Sequence, residues 1–230
     1  MSIDIKNFLI HLELKSPIYN TLLEHPVKLS QASISDLFYY SSKLNLTPST
    51  KYHSLHLLMS ICHTANPTNL IIPCLLISSK MHQNAPITFS ELKSVTNQSK
   101  PSILKLEIEI LSGIQQDLTQ NTLFDWVSAF AELCFASFSP DSRKTLRTQA
   151  CEFIDFLYIQ QEILECLPVG IVSASILGCT VVKMTGDLKS LSCLKNLAFS
   201  LHVGCEVIEK LAGQILELFS EYENFGKNRV

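Results

Sequence analysis

Two segments of this chain are apolar around almost their whole circumference and rich in small side chains. The first reads LIIPCLLISSK (residues 70–80) and the second reads LPVGIVSASILGC (residues 167–179). Small residues such as Ser78, Ser79 and Ala174 let neighbouring helices approach closely. We therefore expect each segment to form a central helix that other helices surround, which constrains the chain to a helical fold.

The rest of the chain has helical spacing. Apolar residues recur at i, i+3, i+4 and i+7, no Asn-Gly or Asp-Gly hairpin turn is present, and seven glycines in 230 residues is well below the usual fraction of about 7%. The pattern predicts an all-α fold in which the helices after residue 32 form two groups of five, each with a central third helix. The predicted helices are 4–13, 17–24, 33–44, 48–64, 68–82, 88–96, 101–113, 121–136, 141–160, 166–184, 187–201 and 204–223.

Charge and hydropathy exclude two classes of partner. The net charge is −3 and no basic run exceeds two residues, which argues against a nucleic-acid binder. The longest nearly uncharged apolar run, residues 167–182, is shorter than the roughly 20 residues that span a bilayer. We expect a buried helix there, and no contact with membrane or nucleic acid.

Reactive side chains form no recognisable catalytic or metal pattern. The eight cysteines contain no CxxC pair, and the amino-terminal residues lack a signal-peptide core, so an intracellular protein of the nucleus or cytoplasm with reduced thiols is expected. His53 and His56 share a predicted helix, but zinc requires further converging ligands. Phosphate-binding loops and nucleophile elbows are missing. We expect no enzyme activity, no cofactor and no metal site.

Two lone charges stand out against this apolar background. Lys80 ends the first central segment, and Glu107 lies inside ILKLEIEIL. Lys80 can simply complement a helix C-terminus, and Glu107 can lie on an exposed stripe beside Lys105 and Glu109. Alternatively, the two charges mark a docking site for another protein.

The residues around these charges resemble the cyclin box. LLISSK is similar to the end of its third helix, where a small residue and a lysine follow apolar residues, and LKLEIEILSGIQQDL is similar to its fifth helix. NTLFDW resembles the segment that leads cyclins into their second repeat, and NLTPSTKYHSLHLL is similar to the second helix. The resemblance covers roughly residues 33–220 and is strongest in the first repeat.

The resemblance implies two tandem five-helix cyclin folds preceded by an N-terminal helix. The domains would be an N-terminal helical segment at 1–30, a cyclin box at 31–123 and a second cyclin-like fold at 124–230. Cyclins perform no chemistry. They bind a cyclin-dependent kinase as a heterodimer, hold its mobile αC helix inward and so activate it, in cell-cycle or transcription control.

The resemblance also implies which residues bind the kinase. Lys80 and Glu107 would form hydrogen bonds with its main chain and fix the register of the two proteins. An apolar floor beneath the kinase helix would be supplied by Ile77, Met81, Leu111 and Leu118.

Several positions depart from the cyclin pattern. Met81, His82 and Gln83 replace the aromatic and two glutamates of many mitotic cyclins, and Gln116 replaces an aromatic anchor. The predicted first helix, SISDLFYYSSKL, lacks the residues of the substrate-docking patch. The short chain resembles the small plant J-type cyclins. A non-kinase helical adaptor built on the same fold is the alternative hypothesis.

Overall fold

The computed structural model describes residues 29–61, 67–113, 121–187 and 194–227. Within these residues all regular secondary structure is helical, which confirms the predicted all-α class. The predicted helices 4–13 and 17–24 lie outside them. None of the helices in this part of the chain is both long enough and apolar enough to cross a bilayer.

The described residues form two compact units, 29–122 and 123–227. The helices of the first unit are α1 (Gln31–Lys43), α2 (Pro48–Ile61), α3 (Pro67–His82), α4 (Phe89–Lys93) and α5 (Lys100–Gly113). Those of the second unit are α6 (Leu123–Phe135), α7 (Pro140–Ile159), α8 (Glu162–Cys166), α9 (Val169–Thr185), α10 (Lys195–Ser200) and α11 (Cys205–Lys227).

Helix α3 lies at the centre of the first unit. It packs against α1, α2 and α5, and every residue from Leu70 to Ser79 is buried. Pro73 lies inside the helix, where it cannot donate a backbone hydrogen bond to the carbonyl of Asn69. The side-chain amide of Gln98 donates to that carbonyl instead, at 3.3 Å. A long-range contact thus replaces the missing helical bond and lets a proline remain in a central helix.

Helix α9 has the same central role in the second unit. It packs against α6, α7, α8 and α11, and every residue from Val169 to Val181 is buried. The predicted buried helix is therefore confirmed.

Burial raises the pKa of the Cys179 thiol in α9 above its usual range, and this thiol donates a hydrogen bond to the carbonyl of Ala212 in α11, at 3.3 Å. Cys179 is a packing residue, as its apolar surroundings predict.

The predicted helix 166–184 is wrong at its start. A separate short helix, α8, ends at Cys166, and α9 begins only at Val169. Leu167 between them is extended, with φ −120° and ψ 143°. Pro168 explains the break, because the proline ring disfavours the helical conformation of the preceding residue.

A buried hydroxyl in α9 provides a stability test. Ser173 is fully buried and its Oγ has no hydrogen-bond partner in the described part of the chain, whereas Ser175 in the same helix donates to the carbonyl of Ile171 at 2.9 Å. We expect Ser173→Ala to raise the free energy of unfolding by about 1 kcal/mol in urea denaturation, because an unsatisfied polar group is removed. Ser175→Ala is the matched control and should not stabilise. A destabilising Ser173→Ala would contradict the assignment.

Candidate functional site

Lys80 and Glu107 form an ion pair with each other. Lys80 lies in the last turn of α3, Glu107 lies in the middle of α5, and the Lys80 ammonium donates to Glu107 Oε1. The Lys80 side chain is 46% exposed and that of Glu107 only 8%. The two charges singled out from the sequence therefore meet in space, and the pair has one buried and one accessible member.

The burial of Glu107 follows from its place on α5. Ile103, Glu107 and Ile110 share one side of the helix at i, i+4 and i+7, and all three are buried. Lys105 and Glu109 are exposed and pair with each other, with 3.7 Å between Nζ and Oε1. Glu107 thus does not belong to the exposed stripe of its charged neighbours, and that alternative interpretation is wrong.

Two buried serines fix the end of α3 that carries Lys80. Ser78 Oγ lies 2.8 Å from Nδ1 of the buried His53 in α2, which ties α3 to α2. Ser79 Oγ donates to the carbonyl of Leu76 and accepts the amide hydrogen of Ile87 at 3.2 Å, which fixes the loop after α3. The sequence predicted only that these residues are small enough for close packing. Their hydroxyls also position the lysine.

A capping box at the start of the short helix α4 also fixes the segment between α3 and α5. Thr88 Oγ1 accepts the amide hydrogen of Glu91, and Glu91 Oε2 accepts that of Thr88 at 2.7 Å, so the two residues form a capping box. The backbone hydrogen bond from Thr88 holds the pKa of Glu91 below its usual value. This short helix begins at a defined residue between the helices that carry Lys80 and Glu107.

The four apolar residues predicted to form a docking floor differ in exposure. Met81 is 39% exposed and Leu111 is 43% exposed, so both are accessible beside the ion pair. Ile77 is buried in the core and is not accessible to a partner. Leu118 lies outside the described residues, as does Gln116. The binding role of these residues stays a prediction.

His53 of α2 has a packing role. His53 is buried, and its ring centroid lies 4.6 Å from that of His82, the exposed last residue of α3. The sequence interpretation missed this contact, because it links residues of two different helices. Within the described ranges, no group of three or more His, Cys, Asp or Glu side chains could hold a metal ion.

Comparison with known proteins identifies the fold. No protein-family model matches the chain, and no curated protein sequence is similar to it. A viral cyclin from herpesvirus saimiri superposes with a TM-score of 0.64 at 18% identity, over 94% of this chain and 99% of the cyclin. The chain has the cyclin fold.

A second structure supports the same fold. It is a chain of the CAK complex from Chaetomium thermophilum, which matches with a TM-score of 0.56 at 14% identity, over 94% of this chain and 70% of that one. Cyclin-fold similarity thus extends over nearly the whole chain in both comparisons. At these identities the comparisons define the fold, and the role of the site rests on its own geometry.

Proposed function

We propose that this protein is a cyclin-type regulatory subunit that binds and activates a cyclin-dependent protein kinase, in cell-cycle or transcription control. The observation that carries the proposal is the Lys80–Glu107 ion pair, which joins α3 and α5 at an accessible surface of a cyclin fold. The protein would perform no chemistry of its own. Its partner would supply the catalytic residues.

The ion pair is suited to bind main-chain groups of a partner. An ammonium group carries three N–H donors, so Lys80 can donate to Glu107 and to a partner carbonyl at the same time. Glu107 keeps the lysine in place from the buried side. In the proposed complex these two residues fix the register, while Met81 and Leu111 contact an apolar side of the kinase αC helix. The helix is then held inward, which completes the ion pair that the active kinase requires.

Stability alone does not explain a carboxylate at position 107. The other members of its stripe, Ile103 and Ile110, are aliphatic, and replacing a whole buried ion pair by apolar residues of similar volume is often neutral or even stabilising. A charge pair at such a position can instead contribute specificity, here for a partner that contacts the half-exposed lysine. This supports a functional role for the pair.

The structural neighbours support a kinase partner at the level of the fold. One is a viral cyclin, and the other belongs to the CAK complex, whose structure was determined with ATP-γ-S bound. We propose by analogy a heterodimer with the kinase. We also propose two tandem five-helix folds with limits at 31–123 and 124–230, preceded by the N-terminal segment 1–30, with the short α8 additional to the five main helices of the second fold. A non-kinase adaptor built on this fold is the alternative.

The test is a pull-down of a panel of purified cyclin-dependent kinases with the wild-type chain and with the double variant Lys80→Ala/Glu107→Ala. We expect one or more kinases to bind the wild type, and the double variant to bind at least about tenfold more weakly, because charge-assisted contacts to a partner contribute several kcal/mol.

The matched control removes a second ion pair between helices. Glu132 of α6 accepts hydrogen bonds from Arg147 and, at 3.5 Å, from Arg143 of α7. Glu132→Ala/Arg147→Ala should bind the kinase like the wild type. Thermal unfolding of each variant separates lost binding from lost folding. Unchanged binding by a folded Lys80→Ala/Glu107→Ala variant would show that the interface lies elsewhere.

A further inference from the structure

The arginines of this chain are concentrated at the start of α7. The sequence contains three arginines, and two of them, Arg143 and Arg147, lie within the first eight residues of this helix. Lys144 follows Arg143 and forms with it the only pair of adjacent basic residues in the sequence. Arginine is well suited to bind phosphate, because its planar guanidinium presents several N–H donors in a fixed geometry.

These two arginines share a single acidic partner. Glu132 of α6 accepts hydrogen bonds from Arg147 and, at 3.5 Å, from Arg143. The Nε of Arg143 is buried and has no hydrogen-bond partner among the described residues. Each guanidinium has five N–H donors, and a buried donor without an acceptor is costly. The arginine pair therefore has unused donors that a further anion could satisfy.

An exposed serine lies at the N-cap of the same helix. Ser139 Oγ accepts the amide hydrogen of Ser142 at 3.2 Å, and residues 136–141 are all exposed. Ser139 is extended, with φ −60° and ψ 153°, and Pro140 follows it. Proline-directed protein kinases accept a serine in this setting, and Pro140 has no backbone N–H that must be paired when the loop is bound. A phosphoryl acceptor thus lies four residues before Arg143.

We propose that Ser139 is a phosphorylation site for a proline-directed serine/threonine kinase, and that Arg143 binds the phosphate. The kinase transfers the γ-phosphoryl group of ATP. A bond forms between Ser139 Oγ and phosphorus, the bond from phosphorus to the ADP oxygen breaks, and the hydroxyl proton is released. The modified residue lies in the second unit, so this inference does not depend on the proposed function.

A phosphate at Ser139 is stabilised by the helix and by the arginines. The free amide hydrogens of the first turn and the positive end of the helix dipole favour an anion at the N-cap. Arg143 lies one turn further on and can exchange Glu132 for the phosphate, while Arg147 keeps Glu132. Asp141 in the first turn opposes the phosphate. The two arginines and the adjacent lysine outnumber the two carboxylates, so attraction exceeds repulsion.

The start of α2 is a matched control without arginine. Thr47 precedes Pro48 and accepts the amide hydrogen of Thr50 at 3.4 Å, so the local geometry is similar. The Thr47 hydroxyl lies 2.9 Å from that of Thr50, which is fully buried. The basic residue four positions after Thr47 is Lys51, whose ammonium lies 4.4 Å from the centroid of the Phe38 ring. A phosphate on Thr47 would disturb a buried hydroxyl and find no arginine.

The test incubates the full chain with a purified proline-directed kinase and Mg-ATP, and locates the phosphate by mass spectrometry. We expect Ser139 to be modified and Thr47 to carry at most about a tenth as much phosphate. The thermal midpoint should rise by about 2–4 °C, because an anion at this N-cap stabilises α7. Arg143→Ala should be phosphorylated and lose most of this rise. An unmodified Ser139, or a phosphate on Thr47 instead, would overturn the proposal.

Phosphorus NMR measures the contact with Arg143 directly. The second pKa of the phosphate should lie below the value of about 6 for phosphoserine, because Arg143 and the helix N-terminus favour the dianion. In phosphorylated Arg143→Ala this pKa should be higher than in the wild type. An equal pKa in the two proteins would show that Arg143 does not bind the phosphate.

A free anion is the other ligand that the arginines could take. Inorganic phosphate at about 10 mM should leave the thermal midpoint of the unmodified chain as it is in sodium chloride of the same ionic strength. If inorganic phosphate produces the same rise as phosphorylation, the arginines form a site for a free anion. The assignment to a phosphorylated Ser139 would then be wrong.

Discussion

Lys80→Ala is expected to lower the free energy of unfolding by about 1–3 kcal/mol, whereas Glu107→Leu should change it by less than about 1 kcal/mol. The two effects differ because Glu107 is buried and Lys80 is half-exposed. Removing the lysine leaves the carboxylate of Glu107, whose side chain is only 8% exposed, without its cation. Removing the glutamate leaves an ammonium group that can extend into water, and a leucine fits between Ile103 and Ile110. Urea denaturation followed by circular dichroism measures both changes.

Lys105→Ala is the control for this pair of variants. Lys105 forms an exposed i,i+4 ion pair with Glu109 on the same helix, and such pairs contribute only about 0.3–0.5 kcal/mol. If Glu107→Leu destabilises the fold more than Lys80→Ala does, the pair is a stabilising element of the core. Glu107 would then be a structural residue, and its proposed role in partner binding would lose support.

Phe153→Ala is expected to lower the free energy of unfolding by about 3–5 kcal/mol, the largest effect of any single change considered. Phe153 of α7 is fully buried, and its ring centroid lies 4.7 Å from that of Phe219 in α11. The Lys183 ammonium of α9 lies 4.9 Å from the Phe219 ring and 2.7 Å from Glu152 Oε2. Truncation to alanine therefore leaves a cavity where three helices meet.

Two further variants of α7 test whether the loss of stability comes from the cavity. Phe153→Leu keeps most of the volume and should cost less than about 2 kcal/mol. Lys144→Ala, at an exposed position of the same helix, should be nearly neutral. Denaturation midpoints by urea or heat measure all three. A loss below about 1 kcal/mol for Phe153→Ala would contradict the packing of α7 against α11.

Local sequence signals predicted the helices well because the signals lie within each helix. Ser139 accepts the amide hydrogen of Ser142 at 3.2 Å, and α7 begins at Pro140, as the Ser-Pro pair indicates. The continuous burial of α3 and α9 follows from their composition alone. The predicted start of α9 lies three residues before the observed start. The apolar run continues through Leu167 and Pro168, so it hides the break that Pro168 causes.

The contacts of the site could not be predicted from local sequence signals, because they join residues of different helices and loops. Lys80 and Glu107 are 27 residues apart, and their pairing depends on how α3 and α5 align. The i, i+4, i+7 spacing of Ile103, Glu107 and Ile110 is a signal that Glu107 faces the core, but the charged neighbours at 105 and 109 left an exposed position open. The hydrogen bond from Ile87 to Ser79 likewise depends on a loop conformation that no local pattern specifies.

We propose that this cyclin-fold protein activates a kinase through the surface around Lys80 and Glu107. The most direct measurement adds the purified chain to each member of a panel of cyclin-dependent kinases prepared without a cyclin, and records phosphate transfer to a peptide substrate. We expect at least one kinase to gain about tenfold or more in activity, and Lys80→Ala/Glu107→Ala to lose this gain, because the inward αC position is required for catalysis. The account would be contradicted if no kinase is stimulated and the chain purified from its own cells carries a stable partner that is not a kinase.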